Sequence, residues 1–209
     1  MSDRPPPGGP ATSGDLRTEA GLTRCGWPGD DPMMVAYHDD EWGRPLHDER
    51  GLFEVLCLEG AQAGLSWSTI LRRRVGYRAV YDDFDASRMA AYDDERQAQL
   101  LADPRIIRNR AKVQAFRDNA AAVLRLRERE GGLEAFLWSF VDGVPVVNRP
   151  LTLSQVPART ALADGISSAL KARGFRFVGP VIVYAYLQSI GIVNDHLLGC
   201  FRHPESTTA

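Results

Sequence analysis

Four side chains that bind soft or borderline metal ions lie in two pairs near opposite ends of the chain. Twelve residues separate Cys25 from His38, and three separate His196 from Cys200. If the second pair lies on a helix, its i, i+4 spacing puts both side chains on one face, and two cysteines with two histidines suit tetrahedral zinc. A shared ion would join segments about 160 residues apart. Each residue could equally be a packed thiol or a hydrogen-bonded imidazole, and spacing alone leaves both interpretations open.

The remaining cysteine and histidines suggest no second metal site. Three cysteines in 209 residues are too few for a disulfide framework and fit a reducing cytoplasm. His47 and His203 lack a comparably spaced cysteine, so we expect both at the surface. Four protein ligands would leave no open coordination position for a water molecule, so a zinc bound by the two pairs would be structural.

The hydrophobic pattern is mostly helical. Capping residues precede apolar windows with i, i+3, i+4 spacing, Gly174 suits a helix end and Pro180 a first turn. The only strand-like run is Val144–Asn148. The sequence therefore predicts an all-α fold with at most a minor hairpin. The predicted helical windows run from Asp48 to near Gly64, from Ser66 with Arg72, Arg73 and Arg74 outward, and over Asp94–Leu101, Arg110–Arg129, Leu133–Phe140, Thr160–Arg173 and Pro180–Ile190.

Composition divides the chain into a tail, one domain and a short end. Residues 1–21 hold four of the 13 prolines and four of the 19 glycines, too little apolar area to offset the entropy of ordering. We expect a disordered tail over 1–21, a folded domain over 22–204 and a flexible C-terminus over 205–209. The tail lacks the apolar segment of a secretory signal, and the uncharged run Phe177–Asn194 is interrupted by glycine and proline, which favours a core helix over a membrane span. We expect a soluble, cytoplasmic monomer.

The net charge of −2 hides a division. The stretch Arg105–Arg127 has seven basic residues and one acid, whereas Asp30–Glu49 has seven acids and one arginine. A second basic cluster, at Arg72, Arg73, Arg74 and Arg78, adjoins an aromatic segment. Such runs are often solvated helix faces, but they also suit a polyanion such as nucleic acid.

Aromatic residues are concentrated in the first third of the predicted domain, where Glu59 lies inside an apolar run. A buried carboxylate is costly unless it has a partner. Either Glu59 pairs with an arginine or a backbone amide in the core, or it hydrogen-bonds the edge of a flat ligand held between aromatic faces. A flat cation would gain from both the rings and the charge. With a basic surface, this describes an extruded, alkylated nucleobase. The aromatic residues are Trp27, Tyr37, Trp42 and Trp67.

Several ordered motifs together resemble the 3-methyladenine DNA glycosylase I family. They span about residues 24–202, which is all of the chain except the tail. The resemblance implies a helix-hairpin-helix architecture in which two helical subdomains flank a base-binding cleft and a zinc site joins the N- and C-terminal segments. The motifs are RCGW at Arg24, YHDDEWG at Tyr37, LEGAQAGLSW at Leu58, IIRNRAK at Ile106, WSFV at Trp138, RGFRFVG at Arg173 and VNDHLLGC at Val193.

The resemblance also implies roles for particular residues. It implies one structural zinc per chain and a loop, Gln62–Leu65, that enters the gap left by the flipped nucleotide. Met34 departs from the pattern, because related chains often have an aromatic there, and so do Arg105 and Ala111 in the hairpin. The implied residues are Cys25, His38, His196 and Cys200 for zinc; Glu59 for catalysis; Tyr37, Trp67, Trp27 and Trp42 for the base; and Gly64, Leu65, Arg108, Arg110 and Lys112 for DNA.

The implied function is hydrolysis of the N-glycosidic bond of 3-methyladenine in double-stranded DNA. No lysine is obviously placed as a Schiff-base nucleophile, so we expect a monofunctional enzyme without strand cleavage. One alternative is a non-catalytic, zinc-containing module that binds DNA lesions. Another is a helical zinc protein that binds a free purine or another flat cation, with the basic stretch as a merely solvated face.

Overall fold

The computed structural model describes residues 14–19 and 21–206. This part of the chain is mostly helical, as the hydrophobic pattern predicts. Its ten α-helices are α1 Pro32–Asp40, α2 Glu49–Gln62, α3 Trp67–Leu71, α4 Arg74–Val80, α5 Ala86–Ala90, α6 Asp94–Ala102, α7 Arg110–Glu130, α8 Leu133–Trp138, α9 Ala161–Ala172 and α10 Pro180–Ser189.

The predicted capping residues lie where the helices begin. The side chains of Asp48, Ser66 and Thr160 each accept a hydrogen bond from the backbone N–H three residues later, which satisfies a donor that the first helical turn leaves free. Pro180 is the first residue of α10. The pattern missed the short helices α1, α4 and α5.

Helix α2 lies at the centre of the fold. Ten of its residues are buried, and it contacts α3, α7, α8 and α10. A helix that is apolar on all sides packs inside a protein, so this helix carries Glu59 into the interior. The predicted core helix in the uncharged run is α10, which packs against α2 and α9. Among the residues described, none of the helices has the length and apolarity that a bilayer crossing requires.

Four short strands form two pairs. Strand β1 Leu16–Glu19 pairs antiparallel with β2 Leu22–Cys25, and β3 Val146–Val147 pairs parallel with β4 Val193–Asn194. The structure therefore departs from the predicted tail boundary, because residues 16–19 form a strand. Backbone hydrogen bonds and packing of Leu16 beside Cys25 offset the entropy of ordering it. The remaining tail residues, 1–13 and 20, lie outside the described residues.

Of the C-terminal segment predicted to be flexible, 205–209, the structure describes residues 205 and 206, and the flexibility stays a prediction. Glu205 pairs with Arg149 at 2.5 Å. His203, expected at the surface, is buried, with its Nε2 3.0 Å from the backbone oxygen of Asn148. The surface prediction was wrong for this histidine because backbone groups satisfy its ring nitrogens. His47 is more than half exposed, as expected. Residues 207–209 lie outside the described range.

The second basic cluster is not a free cationic surface. The guanidinium of Arg74 lies 2.6 Å from the Glu54 carboxylate and also pairs with Glu41, while Arg78 lies 2.9 Å from Glu54. Arg72 pairs with Asp31. The expectation that Arg74 points outward is wrong, since only 15% of its side chain is exposed. Acids from the N-terminal part of the chain thus pair with three of the four arginines of this cluster.

Candidate functional site

A cavity of about 850 Å³ lies between two sets of elements. Helices α1, α2 and α3 provide one wall, and α10 with the turn near Leu153 provides another. The structure brings together all five residues predicted for catalysis and base binding, since each of them lines this cavity: Trp27, Tyr37, Trp42, Glu59 and Trp67.

Three buried polar atoms in this cavity have no hydrogen-bond partner among the described residues. They are the indole Nε1 atoms of Trp27 and Trp67 and the Oε2 atom of Glu59. An unpaired buried polar group costs about 1–3 kcal/mol, and such groups are rare outside functional sites. The residues that line the cavity therefore hold two donors and one acceptor that have no partner within the described protein.

The Glu59 carboxylate is held by a hydroxyl. Ser189 Oγ donates to Glu59 Oε1 at 2.7 Å, and the Tyr37 hydroxyl donates to Ser189 Oγ at 2.9 Å. The expectation of a core glutamate paired with an arginine or a backbone amide does not describe this contact. Burial raises the pKa of Glu59 to about 7, and the hydrogen bond from Ser189 opposes that rise. Glu59 can therefore hold or release a proton near neutral pH.

The aromatic rings form a continuous wall. The centroids of Tyr37 and Trp67 are 5.2 Å apart with planes tilted by 48°, and those of Trp27 and Trp42 are 5.2 Å apart. The rings of Tyr37 and Trp67 thus contact each other, and they must separate before a flat ligand can lie between them. Met34 lines the cavity and packs in the same cluster as Tyr37, so a flexible thioether forms part of this wall.

The loop between α2 and α3 forms the rim of the cavity. Gln62, Gly64 and Leu65 line it, and Gly64 adopts φ +79° with open space where a side chain would begin. The positive φ favours glycine. This loop projects no bulky side chain at its tip, which suits close approach to another molecule.

Lys112 supports this loop from inside the protein. Its Nζ donates to the backbone oxygens of Ala61 and Ala63, both at 2.8 Å, and the residue is buried. Burial lowers the pKa of its ammonium. The structure thus departs from the predicted phosphate contact, because two carbonyls at the end of α2 already bind this ammonium.

Arg108 and Arg110 are exposed where the α6–α7 connection enters α7. Within the described residues, neither guanidinium forms an ion pair. Three other arginines of the basic stretch are compensated, since Arg105, Arg117 and Arg127 pair with Asp103, Asp118 and Glu49. Two uncompensated charges of this stretch therefore lie together at the start of α7.

The connection between α6 and α7 packs closely against α4. A Cβ at Gly76 would lie 2.8 Å from the Cβ of Arg105, and the backbone N–H of Ile107 donates to the Tyr77 hydroxyl at 3.1 Å. Arg105, where the sequence departs from the family pattern, is thus accommodated by a glycine on the facing helix.

The four predicted metal ligands converge in one buried cluster. Their donor atoms all lie within 4.8 Å of one another. Cys200 Sγ is 3.5 Å from both His38 Nε2 and His196 Nδ1, and Cys25 Sγ is 3.7 Å from His196 Nδ1. A tetrahedron with bonds of about 2.0–2.3 Å has edges of about 3.5 Å, so the donor set fits such an ion.

The electrostatics of the cluster favour a thiolate. The hydrogen bond from the Cys25 thiol, helped by the two imidazoles, lowers the pKa of Cys200 to about 3, and the same contact raises the pKa of Cys25. Thiolates are the form of cysteine that binds metals. The sulphur of Cys200 is therefore deprotonated, as a soft cation requires of a thiolate ligand.

Outer contacts fix the orientation of both imidazoles. Asp39 lies 2.7 Å from His38 Nδ1 and is held by Arg24, and the Trp42 backbone oxygen lies 3.0 Å from His196 Nε2. Each ring therefore directs its other nitrogen into the cluster, an arrangement typical of metal sites.

Sequence reasoning missed several polar residues of the cavity. Among them are Gln188 and Ser189 at the end of α10 and Asp195 directly after β4. Asp195 accepts hydrogen bonds from Tyr184, Gln188 and Asn148. Polar residues within the uncharged run were the available signal, but only the packing of α10 against α2 shows which of them faces Glu59.

Comparison with known proteins gives consistent similarities. Residues 27–203 match the family model described as methyladenine glycosylase. The chain is 47% identical over 183 residues to DNA-3-methyladenine glycosylase 1 of Escherichia coli, covering 88% of this chain and 98% of that protein. It is 42% identical to DNA-3-methyladenine glycosylase of Haemophilus influenzae, covering 85% and 96%.

Solved structures are similar in fold. A crystal structure of 3-methyladenine DNA glycosylase I superposes with a TM-score of 0.85 at 48% identity, covering 87% of this chain and 100% of that one. The Staphylococcus aureus enzyme, whose structure concerns 3-methyladenine recognition, gives a TM-score of 0.81 at 34% identity, covering 86% and 94%.

The burial of Glu59 predicts a pH-dependent stability. Its pKa of about 7 in the folded protein exceeds its ordinary value of 4.5, so between these values the folded state holds a proton that the unfolded state releases. Its ionisation then destabilises the fold increasingly as pH rises, up to about 3 kcal/mol above pH 7. We therefore expect the free energy of unfolding of Glu59→Gln, minus that of wild type, to be larger at pH 8 than at pH 5. Urea unfolding of both proteins at the two pH values measures this difference. An equal difference at both pH values would contradict this.

Proposed function

Because the chain belongs to the methyladenine glycosylase family, we propose that it is a DNA repair enzyme that hydrolyses the N-glycosidic bond of 3-methyladenine in alkylated DNA. The observation that carries this proposal is the unpaired Oε2 of Glu59 inside an aromatic cavity. A cationic purine gains there from the carboxylate charge and from the ring faces.

The charge of the lesion explains how this chain can accelerate the reaction. Alkylation places positive charge on the purine, so the bond to the sugar is weakened before binding. When it breaks, its electron pair goes to the purine, which leaves neutral, while water adds to the sugar carbon and loses a proton to solvent. Glu59 holds the base edge, and Tyr37 with Trp67 provides the aromatic wall on which the base lies.

We propose that the reaction is monofunctional. A lyase step needs an amine that forms a Schiff base with the sugar. The chain has two lysines, of which Lys112 is bound to two carbonyls and Lys171 lies exposed on α9. Neither lines the cavity among its described residues.

We further propose that the Cys25, His38, His196 and Cys200 cluster holds one structural zinc ion per chain. The spacing of the donors and their chemistry support this assignment. When bound, the ion would cross-link the two ends of the domain. Trp27 packs against the imidazole of His38, and Trp42 packs against that of His196. These contacts hold the two imidazole rings in their orientations.

The DNA partner is proposed to be a duplex bound by a monomer. Arg108 and Arg110 would meet the phosphate backbone at the start of α7, where the helix dipole also favours an anion. The α6–α7 segment would serve as the helix-hairpin-helix element, and the cavity would be the cleft between two helical subdomains. Gly64 and Leu65 would occupy the gap left by the flipped nucleotide. We place this activity in the cytoplasm, on nucleoid DNA.

The central test is base release. Wild-type protein incubated with methylated duplex DNA should release 3-methyladenine, detected by chromatography, and leave abasic sites without strand breaks. Glu59→Gln should reduce release by about 100-fold, because the neutral amide loses the charge paired with the base, while its affinity for abasic DNA stays near that of wild type. Lesion binding without base release by wild type would instead identify a non-catalytic binding module.

Metal content tests the zinc proposal. Elemental analysis of purified protein should find about one zinc per chain, and Cys200→Ser should lose it because an alcohol replaces the thiolate. Cys57→Ser is the matched control, since Cys57 is buried outside the cluster and its loss should leave the zinc in place. Equal zinc content in all three proteins would contradict the assigned ligands.

Salt dependence separates the two kinds of basic residue. Arg110→Gln should reduce the slope of log affinity against log salt by about 1, because one phosphate contact is lost. Lys112→Met should leave the slope unchanged, since its ammonium binds carbonyls inside the protein. Equal loss of slope in the two variants would show that Lys112 meets a phosphate.

A further inference from the structure

We propose that Ser189 is a positioning residue for base excision: its hydroxyl fixes the Glu59 carboxylate so that one oxygen is committed to the protein and the other faces the base. This inference rests on the proposed function. Ser189 is the last residue of α10, lines the cavity and is 9% exposed.

The proton count gives the chain of hydrogen bonds one direction. Serine has a single proton, and an ionised carboxylate only accepts, so Ser189 must donate to Glu59 Oε1 at 2.7 Å. Its oxygen is then left to accept the Tyr37 proton at 2.9 Å. The Tyr37 hydroxyl proton therefore points to Ser189 and away from the cavity.

Two consequences follow for a ligand. Glu59 Oε1 is occupied, so the carboxylate offers the base only Oε2, which has no partner among the described residues. The contact with Ser189 restrains the rotatable bonds of the glutamate side chain, so less conformational entropy remains to be lost on binding. Ser189 thus orients the Glu59 carboxylate without contacting the base itself.

The same contact sets the charge on Glu59. Burial raises the pKa of this carboxyl, and the hydrogen bond from Ser189 limits the rise because it favours the ionised form. The other titratable groups around Glu59 belong to several elements. They are Tyr37 from α1, Tyr186 from α10, Asp31 and Asp195 on the cavity wall, and Lys112, whose ammonium binds the Ala61 oxygen.

The experiment measures the Glu59 titration directly in three proteins. Carboxyl ¹³C NMR, with the Glu59 signal assigned by its absence in Glu59→Gln, should give a pKa near 7 for wild type. Ser189→Ala should raise it by about one unit, and Ser189→Thr should restore it, because the threonine hydroxyl can donate in the same way. An unchanged pKa in Ser189→Ala would overturn the proposal. So would a pKa in Ser189→Thr that stays as high as in the alanine variant.

Ser167→Ala is the matched control. Ser167 is also buried and donates a short hydrogen bond, to the Val178 backbone oxygen, away from Glu59. Its truncation should lower stability to a similar extent and leave the Glu59 pKa unchanged. A shift as large as that of Ser189→Ala would show a general effect of loosening the fold and overturn the assignment.

Base release gives the functional readout. In Ser189→Ala the acid limb of kcat/KM should move to higher pH with the Glu59 pKa, so about fivefold less Glu59 is ionised at pH 7. Abasic-DNA affinity should stay unchanged. If the pKa moves but wild type releases no base, Ser189 still orients the Glu59 carboxylate and it is the proposed function that fails. If wild type releases base and the acid limb is the same in Ser189→Ala, the positioning role fails alone.

Discussion

The convergence of Cys25, His38, His196 and Cys200 is the constraint from which the rest of the site is built. Strand β2 and helix α1 bring two of these residues from the start of the domain, and the segment after β4 brings the other two from its end. The imidazoles then contact Trp27 and Trp42, whose other sides line the cavity. The position of the aromatic wall therefore follows from the closure of the chain on itself.

Charge is distributed by the fold in a way that the net value conceals. Acids of the N-terminal segment pair with Arg72, between α3 and α4, and with Arg74 at the start of α4, so two strongly charged parts of the sequence partly neutralise each other. Arg108 and Arg110, which form no ion pair within the described residues, lie together at the start of α7. A protein of net charge −2 can thus present a small cationic site, because affinity for phosphate depends on nearby charges within about 10 Å at ordinary ionic strength.

The sequence predicted the helices better than it predicted side-chain partners. Caps such as Asp48 and Ser66 act on neighbouring backbone groups, so a local pattern identifies them. The convergence of the metal ligands and of the aromatic residues was expected from the ordered motifs, not from spacing. Lys112 and Ser189 show where sequence reasoning ends, because the first could bind a phosphate or a carbonyl and the second could lie anywhere on α10. Only the contact with α2, far away in sequence, decides each case.

Lys112 attaches the rim loop to α7, so the loop and the start of this helix cannot move independently. The same helix begins beside the outward-facing arginines and, within its first turn, anchors the carbonyls that precede Gly64. The height of the rim loop above the start of α7 is therefore fixed by the protein itself. A displacement of either part would be transmitted to the other through one ammonium group.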